Sequence, residues 1–204
     1  MLGRLWRRLV YGSPILVVSG LPRSGTSMIM QMLQAGGVEA ATDQQRSADD
    51  DNPKGYFELE HVKTLEKGGD KNWLSQYRGQ AVKIISYLLR SLPNNHFYLV
   101  IFIERNLDEV LASQKKMLAR RGEESSIADD KMKENYRNHL LRTRAFLKHA
   151  PNIETLFLQH QTIIAAPQEQ AERIAHFVGQ KLDTQAMAQV VDAQLYRNRA
   201  DANP

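Results

Sequence analysis

The chain has 204 residues, of which 42% are apolar and 25% charged, and its formal net charge is +4. That length supports one domain with its own core, and the mild positive charge suits anionic small ligands while arguing against a nucleic-acid partner. The absence of cysteine excludes disulfides, thiolate nucleophiles and cysteine-ligated zinc, and it fits a cytoplasmic protein.

The first segment, residues 1–12, is basic and amphipathic, and it predicts an extra helix or extension. It is too short to span a membrane and lacks the apolar run of a secretory signal. We expect it to pack on the domain, with contact to an anionic membrane surface as the alternative. The remaining chain predicts a single domain, residues 1–204 in all, with a frayed tail over 197–204.

A glycine-rich turn follows the first apolar run. Residues 14–19 predict a buried strand, and a helix is expected from about 24 to 35. Between them the sequence LPRSGTS has the layout of a phosphate-binding loop, in which backbone amides and a helix N-terminus face an anion. Thr26 stands where a Walker loop has its lysine, so the usual handling of ATP is not expected. Arg23 is the replacement charge.

Apolar runs alternate with helical patterns along the rest of the chain. This alternation predicts an α/β fold, a three-layer αβα sandwich with a central, mainly parallel sheet. The further strands are expected at 81–86, 97–104 and 153–158, and the further helices at 56–65, 106–120, 128–149, 168–178 and 183–195.

Arg105 and Ser113 form a second candidate binding group. Arg105 follows the clearest strand at its carboxyl end, which is the edge where open α/β sheets bind ligands. Ser113 comes about two helical turns later. A guanidinium and a hydroxyl at this edge suit a second phosphate.

The pairing of LPRSGTS with IERNLDEVLAS resembles the sulfotransferase family that uses 3′-phosphoadenosine 5′-phosphosulfate (PAPS). The similarity runs roughly from Ile15 to Gly179 and includes Val82-Lys83, Ser91-Leu92-Pro93 and residues 167–179. It implies a P-loop-like sulfotransferase fold, PAPS as co-substrate, 3′-phosphoadenosine 5′-phosphate (PAP) as product, and no metal. The acceptor that it implies is a hydroxyl, or an amine, of a small molecule or a glycan.

The resemblance also implies roles for single residues. Lys83 matches a lysine that the family places near the transferred sulfonyl group, so Lys83 and Arg23 are candidate catalytic residues. Arg105 and Ser113 would bind the 3′-phosphate. The 5′-phosphosulfate would be bound by Pro22, Arg23, Ser24, Gly25, Thr26 and Ser27.

The catalytic base has two candidates. Cytosolic members often carry a histidine two residues after the lysine, and this chain has Ile85 there. Other branches use a carboxylate. Asp43 lies close to where the peptide-tyrosine sulfotransferases have a glutamate, and Glu58 ends NPKGYFE, which resembles the NPxGYxE segment of many bacterial members. Both carboxylates remain open as the base.

Two other functions fit parts of the sequence. A P-loop phosphotransferase using a nucleoside triphosphate fits the loop, but Thr26 argues against it and no strand-end aspartate offers a magnesium site. A non-catalytic nucleotide-binding or anion-binding module stays possible because the usual histidine is missing. Calorimetry with PAP, ADP and ATP separates a sulfotransferase from a phosphotransferase, and tight binding without turnover would indicate the non-catalytic module.

Overall fold

The structure is a computed structural model and describes residues 2–43, 57–123 and 127–192. Within them there are four strands, β1 (Ile15–Gly20), β2 (Ala81–Lys83), β3 (Tyr98–Glu104) and β4 (Ile153–Gln159). They form one sheet in the order β2-β1-β3-β4, and every neighbouring pair is parallel. Both faces of the sheet carry helices, so the predicted α/β class is confirmed.

The described residues also form seven α-helices and three short 3-10 helices. The 3-10 helices all lie between the first and third strands of the chain, at Glu60–Glu66, Asn72–Tyr77 and Ser86–Ser91. The α-helices are α1 (Leu2–Tyr11), α2 (Thr26–Ala35), α3 (Leu107–Arg120), α4 (Asp129–His149), α5 (His160–Ala165), α6 (Pro167–Val178) and α7 (Thr184–Gln189).

The sheet separates two cores because side chains alternate between its faces along each strand. On β1, Leu16 and Val18 pack with α2, α6 and α7 on one face. Ile15 and Val17 pack on the other face, with the 3-10 helices and α4. All six residues of β1 are buried, as expected for a central strand covered on both sides.

Three predicted elements differ from the structure. The strand expected at 81–86 ends at Lys83, because Ser86 begins a 3-10 helix and its hydroxyl lies 2.8 Å from His139 Nε2. The helix expected at 183–195 ends at Gln189. The helix over 56–65 is a 3-10 helix that starts at Glu60. The short helix α5 was not predicted, since it follows β4 with no intervening turn signal.

Some predictions lie outside the described residues, among them the frayed tail over 197–204 and residues 52–56 of the NPKGYFE segment. Where the structure is described, no helix combines the length and the apolarity needed to cross a bilayer.

Candidate functional site

The loop between β1 and α2 turns sharply at the carboxyl edge of the sheet. Gly25 caps α2 with φ 105°, a left-handed conformation that favours glycine. The amide of Ser24 donates to the carbonyl of Leu21 at 3.2 Å. Ser24 does not cap the helix, since its hydroxyl is buried and has no hydrogen-bond partner among the described residues. The loop therefore presents a buried hydroxyl next to the first amides of a helix.

Two glycines allow this loop to pack closely against neighbouring segments. A Cβ on Gly20 would clash with Ser24 Oγ and with the carbonyl oxygen of Ile103 on the adjacent strand. A Cβ on Gly25 would lie 2.7 Å from Cδ2 of His160, the first residue of α5. Side chains at either position would push the loop off the sheet edge.

Arg23 joins the loop to the second binding group that was predicted. Its Nε donates to Ser113 Oγ at 2.9 Å, and its carbonyl accepts from Arg105 Nη1 at 3.2 Å. Arg23 itself has φ 68°, an unusual left-handed conformation for a residue with a side chain. The structure thus brings together Arg23, Arg105 and Ser113, although they come from two separate segments of the chain.

Arg105 lies in a buried ion pair with Glu109. Its Nε donates to Glu109 Oε2 at 2.8 Å, and the two side chains are 9% and 3% exposed. Because a buried charge is costly unless paired, this contact fixes the guanidinium in place. A guanidinium has five N–H donors, so the contacts of Arg105 to Glu109 and to Arg23 are compatible with a further contact to an anion.

His160 lies buried beside the loop and the ion pair. Burial and, to a smaller extent, the charge of Arg105 lower the pKa of His160 to about 4, and Glu109 acts in the opposite direction. The imidazole is consequently neutral near pH 7 and packs against Gly25. No sequence feature pointed to this residue beyond its position at the end of a strand, whereas Glu109 was detectable as a carboxylate four positions after Arg105.

Lys83, at the end of β2, points to the same loop. Its Nζ donates to Ser27 Oγ at 3.3 Å and lies 3.7 Å from Glu58 Oε1. The Lys83 side chain is 9% exposed and that of Glu58 is 30% exposed. A carboxylate that solvent reaches therefore stands next to a buried ammonium group and the loop between β1 and α2.

Asp43 braces the segment that carries Glu58. Its amide donates to the carbonyl of Glu58 at 3.2 Å, and its Oδ2 accepts from the amide of Glu60 at 2.6 Å. The second contact places the carboxylate at the start of the 3-10 helix Glu60–Glu66, where a negative charge is favourable. The structure thus separates the two carboxylates: Glu58 contacts Lys83, and Asp43 contacts backbone amides.

A cleft of about 640 Å³ opens at the same sheet edge. Arg105 and Glu109 line one end of it, and α4 and the start of α5 form its walls. Its volume is in the range of small-molecule sites. In the described part of the chain, no group of three or more histidine, aspartate or glutamate side chains is arranged to hold a metal ion.

The chain belongs to the sulfotransferase domain family, whose model matches residues 13–199. This confirms the family resemblance seen in the sequence, and it does not favour the phosphotransferase alternative. The roles assigned to single residues stay predictions. No curated protein sequence matches the chain.

A solved sulfotransferase structure shares the fold. A mouse sulfotransferase complexed with PAP is similar to the chain with a TM-score of 0.54 and 17% identity, over 87% of this chain and 62% of the mouse chain. The chain thus spans about three fifths of that relative's length. A sulfotransferase from Alicyclobacillus acidocaldarius has a TM-score of 0.49 and 12% identity, over 89% of this chain and 87% of its own.

Proposed function

We propose that the chain transfers a sulfonyl group from PAPS to a hydroxyl, or an amine, of a small molecule or glycan. The observation that carries this proposal is the convergence of Arg23, Arg105 and Ser113 around a phosphate-binding loop, in a chain that belongs to the sulfotransferase domain family. Two cationic groups at one edge of the sheet suit a ligand with two separate phosphate groups.

The residues of the loop fit the donor. The buried Ser24 hydroxyl lacks a hydrogen-bond partner within the described residues, and a phosphate oxygen would supply one. The first amides of α2 have no acceptors inside the helix and favour an anion. Residues Pro22–Ser27 would bind the 5′-phosphosulfate, and Arg105 and Ser113 would bind the 3′-phosphate. Because Arg105 also lines the cleft, the nucleoside would extend from there into it.

The acceptor side has one base candidate that the contacts favour. When bound, PAPS supplies a sulfur atom that forms a bond to the acceptor oxygen or nitrogen, while its bond to the 5′-phosphate oxygen breaks and the electron pair leaves with that phosphate. Glu58 would take the acceptor proton, since it stands beside Lys83 and the loop. Lys83 and Arg23 would stabilise the charge that grows on the leaving phosphate.

Asp43 serves Glu58 indirectly in this proposal. Its two contacts to the backbone at Glu58 and Glu60 hold the segment, and they engage the carboxylate in a structural role. We therefore assign proton removal to Glu58 and positioning to Asp43.

Titration calorimetry tests the donor. We expect PAP to bind at least about tenfold more tightly than ADP, because each charge-assisted hydrogen bond to the 3′-phosphate adds on the order of 1.5 to 3 kcal/mol. Adding magnesium should change neither affinity. Preference for ATP with magnesium would contradict the proposal and favour a phosphotransferase.

A transfer assay with labelled PAPS and a panel of alcohol, phenol, sugar and amine acceptors tests the reaction. Formation of a labelled acceptor together with PAP supports the proposal. Tight PAP binding with no transfer to any acceptor would instead identify a nucleotide-binding module that does not catalyse.

A further inference from the structure

Helix α1 packs on the domain through its polar side. Arg4 forms an ion pair with Glu154 and lies 5.5 Å from the ring centre of Phe177. Arg7 Nε donates to the carbonyl of Pro151 at 2.7 Å. An amphipathic helix of a globular domain normally buries its apolar stripe and exposes its charges. This helix has the opposite orientation.

The apolar side of α1 consequently faces outward. Leu5 and Trp6 are 60% and 52% exposed, and Leu9 and Val10 are 86% and 53% exposed. They make up half of the large hydrophobic side chains that are exposed in the described parts of the chain. Leu5 and Leu9 stand one helical turn apart, so they form a continuous apolar stripe with Trp6 at its border. Such a stripe indicates a surface that is covered when the protein acts.

The charge of α1 indicates which kind of partner covers the apolar stripe. The helix carries three arginines and no acidic residue, and Arg8 is exposed next to the apolar stripe. Two copies of α1 packed stripe to stripe would bring their exposed Arg8 side chains together with no carboxylate from either helix. An anionic phospholipid surface complements Arg8 and accepts leucine and tryptophan side chains at the same depth.

We propose that α1 lies flat in the headgroup layer of an anionic membrane, with the stripe Leu5, Trp6, Leu9 and Val10 inserted. Arg8 would contact lipid phosphates, and the contacts of Arg4 and Arg7 would hold the domain above the surface. This proposal is independent of the sulfotransferase reaction, because it involves none of the residues of the candidate site.

The position of α1 leaves the candidate site accessible on a bound protein. Arg4 contacts Glu154, the second residue of β4, so α1 lies toward the amino end of that strand. The loop Pro22–Ser27 and Arg105 lie at the carboxyl ends of their strands. The parallel strands thus separate the helix from the site by roughly 20 Å, the length of about six residues.

Vesicle binding by the full chain tests the proposal. We expect co-sedimentation with vesicles of phosphatidylcholine and phosphatidylglycerol, and little with pure phosphatidylcholine. Leu9→Gln should lower the partition coefficient on the order of tenfold, since it removes a leucine from the apolar layer. Leu141→Gln is the matched control, because Leu141 is 61% exposed on α4, and it should change binding less than about twofold.

Two further variants sharpen the test. Arg8→Gln should weaken binding to the anionic vesicles about fivefold, as one arginine near the surface contributes about 1 kcal/mol. The chain has two tryptophans, so Trp73→Phe leaves Trp6 as the only one, and its emission should shift to the blue on adding anionic vesicles. Equal thermal unfolding of all variants shows that the domain remains folded.

Three results would overturn the proposal. Equal binding to neutral and anionic vesicles would show that α1 does not recognise anionic lipid. Binding that Leu9→Gln leaves unchanged excludes the helix. Absence of vesicle binding excludes a membrane as the partner of α1. If sedimentation velocity then shows a dimer that Leu9→Gln dissociates, the apolar stripe is covered by a second copy of the chain.

Discussion

The two sides of the candidate site depend on different parts of the fold. The proposed donor side, Pro22–Ser27 with Arg105 and Ser113, follows the two central strands and links them through Arg23. The proposed acceptor side, Asp43, Glu58 and Lys83, depends on the edge strand β2 and on the contacts between Asp43 and residues 58–60. The donor side is thus fixed by the sheet itself, and the acceptor side by a few side-chain and backbone contacts. Such a division lets one scaffold keep its donor while acceptors vary.

The largest expected effect separates the two sides directly. Glu58→Gln should lower kcat by about 10² to 10⁴, the usual contribution of a general base, while PAP affinity stays within about twofold. Asp43→Asn keeps the size of the side chain and should lower kcat less, since it weakens the positioning of Glu58 only. Steady-state kinetics and calorimetry measure both values. A fully active Glu58→Gln with an inactive Asp43→Asn would reverse the assignment.

The next effect probes the donor side alone. Arg23→Ala should weaken PAP binding on the order of a hundredfold, because it removes a guanidinium from the phosphate loop and its hydrogen bond to Ser113. Arg142→Ala is the control, since Arg142 is exposed on α4 away from the loop. If calorimetry shows the same affinity for both variants, Arg23 does not contact the donor.

The smallest effect concerns stability at the donor side. His160 has a pKa of about 4 in the fold against an ordinary value near 6.5, so the unfolded chain binds a proton first as the pH falls. The free energy of unfolding should therefore decrease between pH 6.5 and 4, by up to about 3 kcal/mol from this residue. Urea unfolding across that range measures it.

His160→Gln should flatten this pH dependence, and His176→Gln, at an exposed position on α6, should leave it unchanged. Some slope will remain in His160→Gln, since burial lowers the pKa of His96 and of His139 in the same direction. An unchanged slope would mean that His160 is reached by water in the folded protein.

The donor side could be predicted from the sequence because its groups lie in two short segments, each at the end of a recognisable buried strand. The sheet brings the ends of such strands to one edge whatever the rest of the chain does. Arg105 and Ser113 were expected at this edge for that reason, and the structure brings both to the loop after β1. Their role in binding stays a prediction.

The acceptor side and α1 depend on contacts between distant parts of the chain. The sequence alone did not decide which of Glu58 and Asp43 is the base. Their roles depend on how a segment outside the sheet packs against Lys83. The early end of β2 follows from the contact of Ser86 with His139, which lies 53 residues later. The inverted orientation of α1 is set by Glu154 and by the carbonyl of Pro151. Local patterns contain no information on such pairings.

The backbone of Arg23 has a consequence for engineering the protein. A glycine at this position would adopt φ 68° without the strain that a side chain brings, which is typically 1 to 3 kcal/mol. It would also remove the guanidinium from the loop. A selection for heat resistance alone would therefore favour a substitution that, in the proposed function, weakens donor binding. Variants of this protein selected for thermal stability therefore have to be screened for ligand affinity as well, because the residue at position 23 affects both properties in opposite directions.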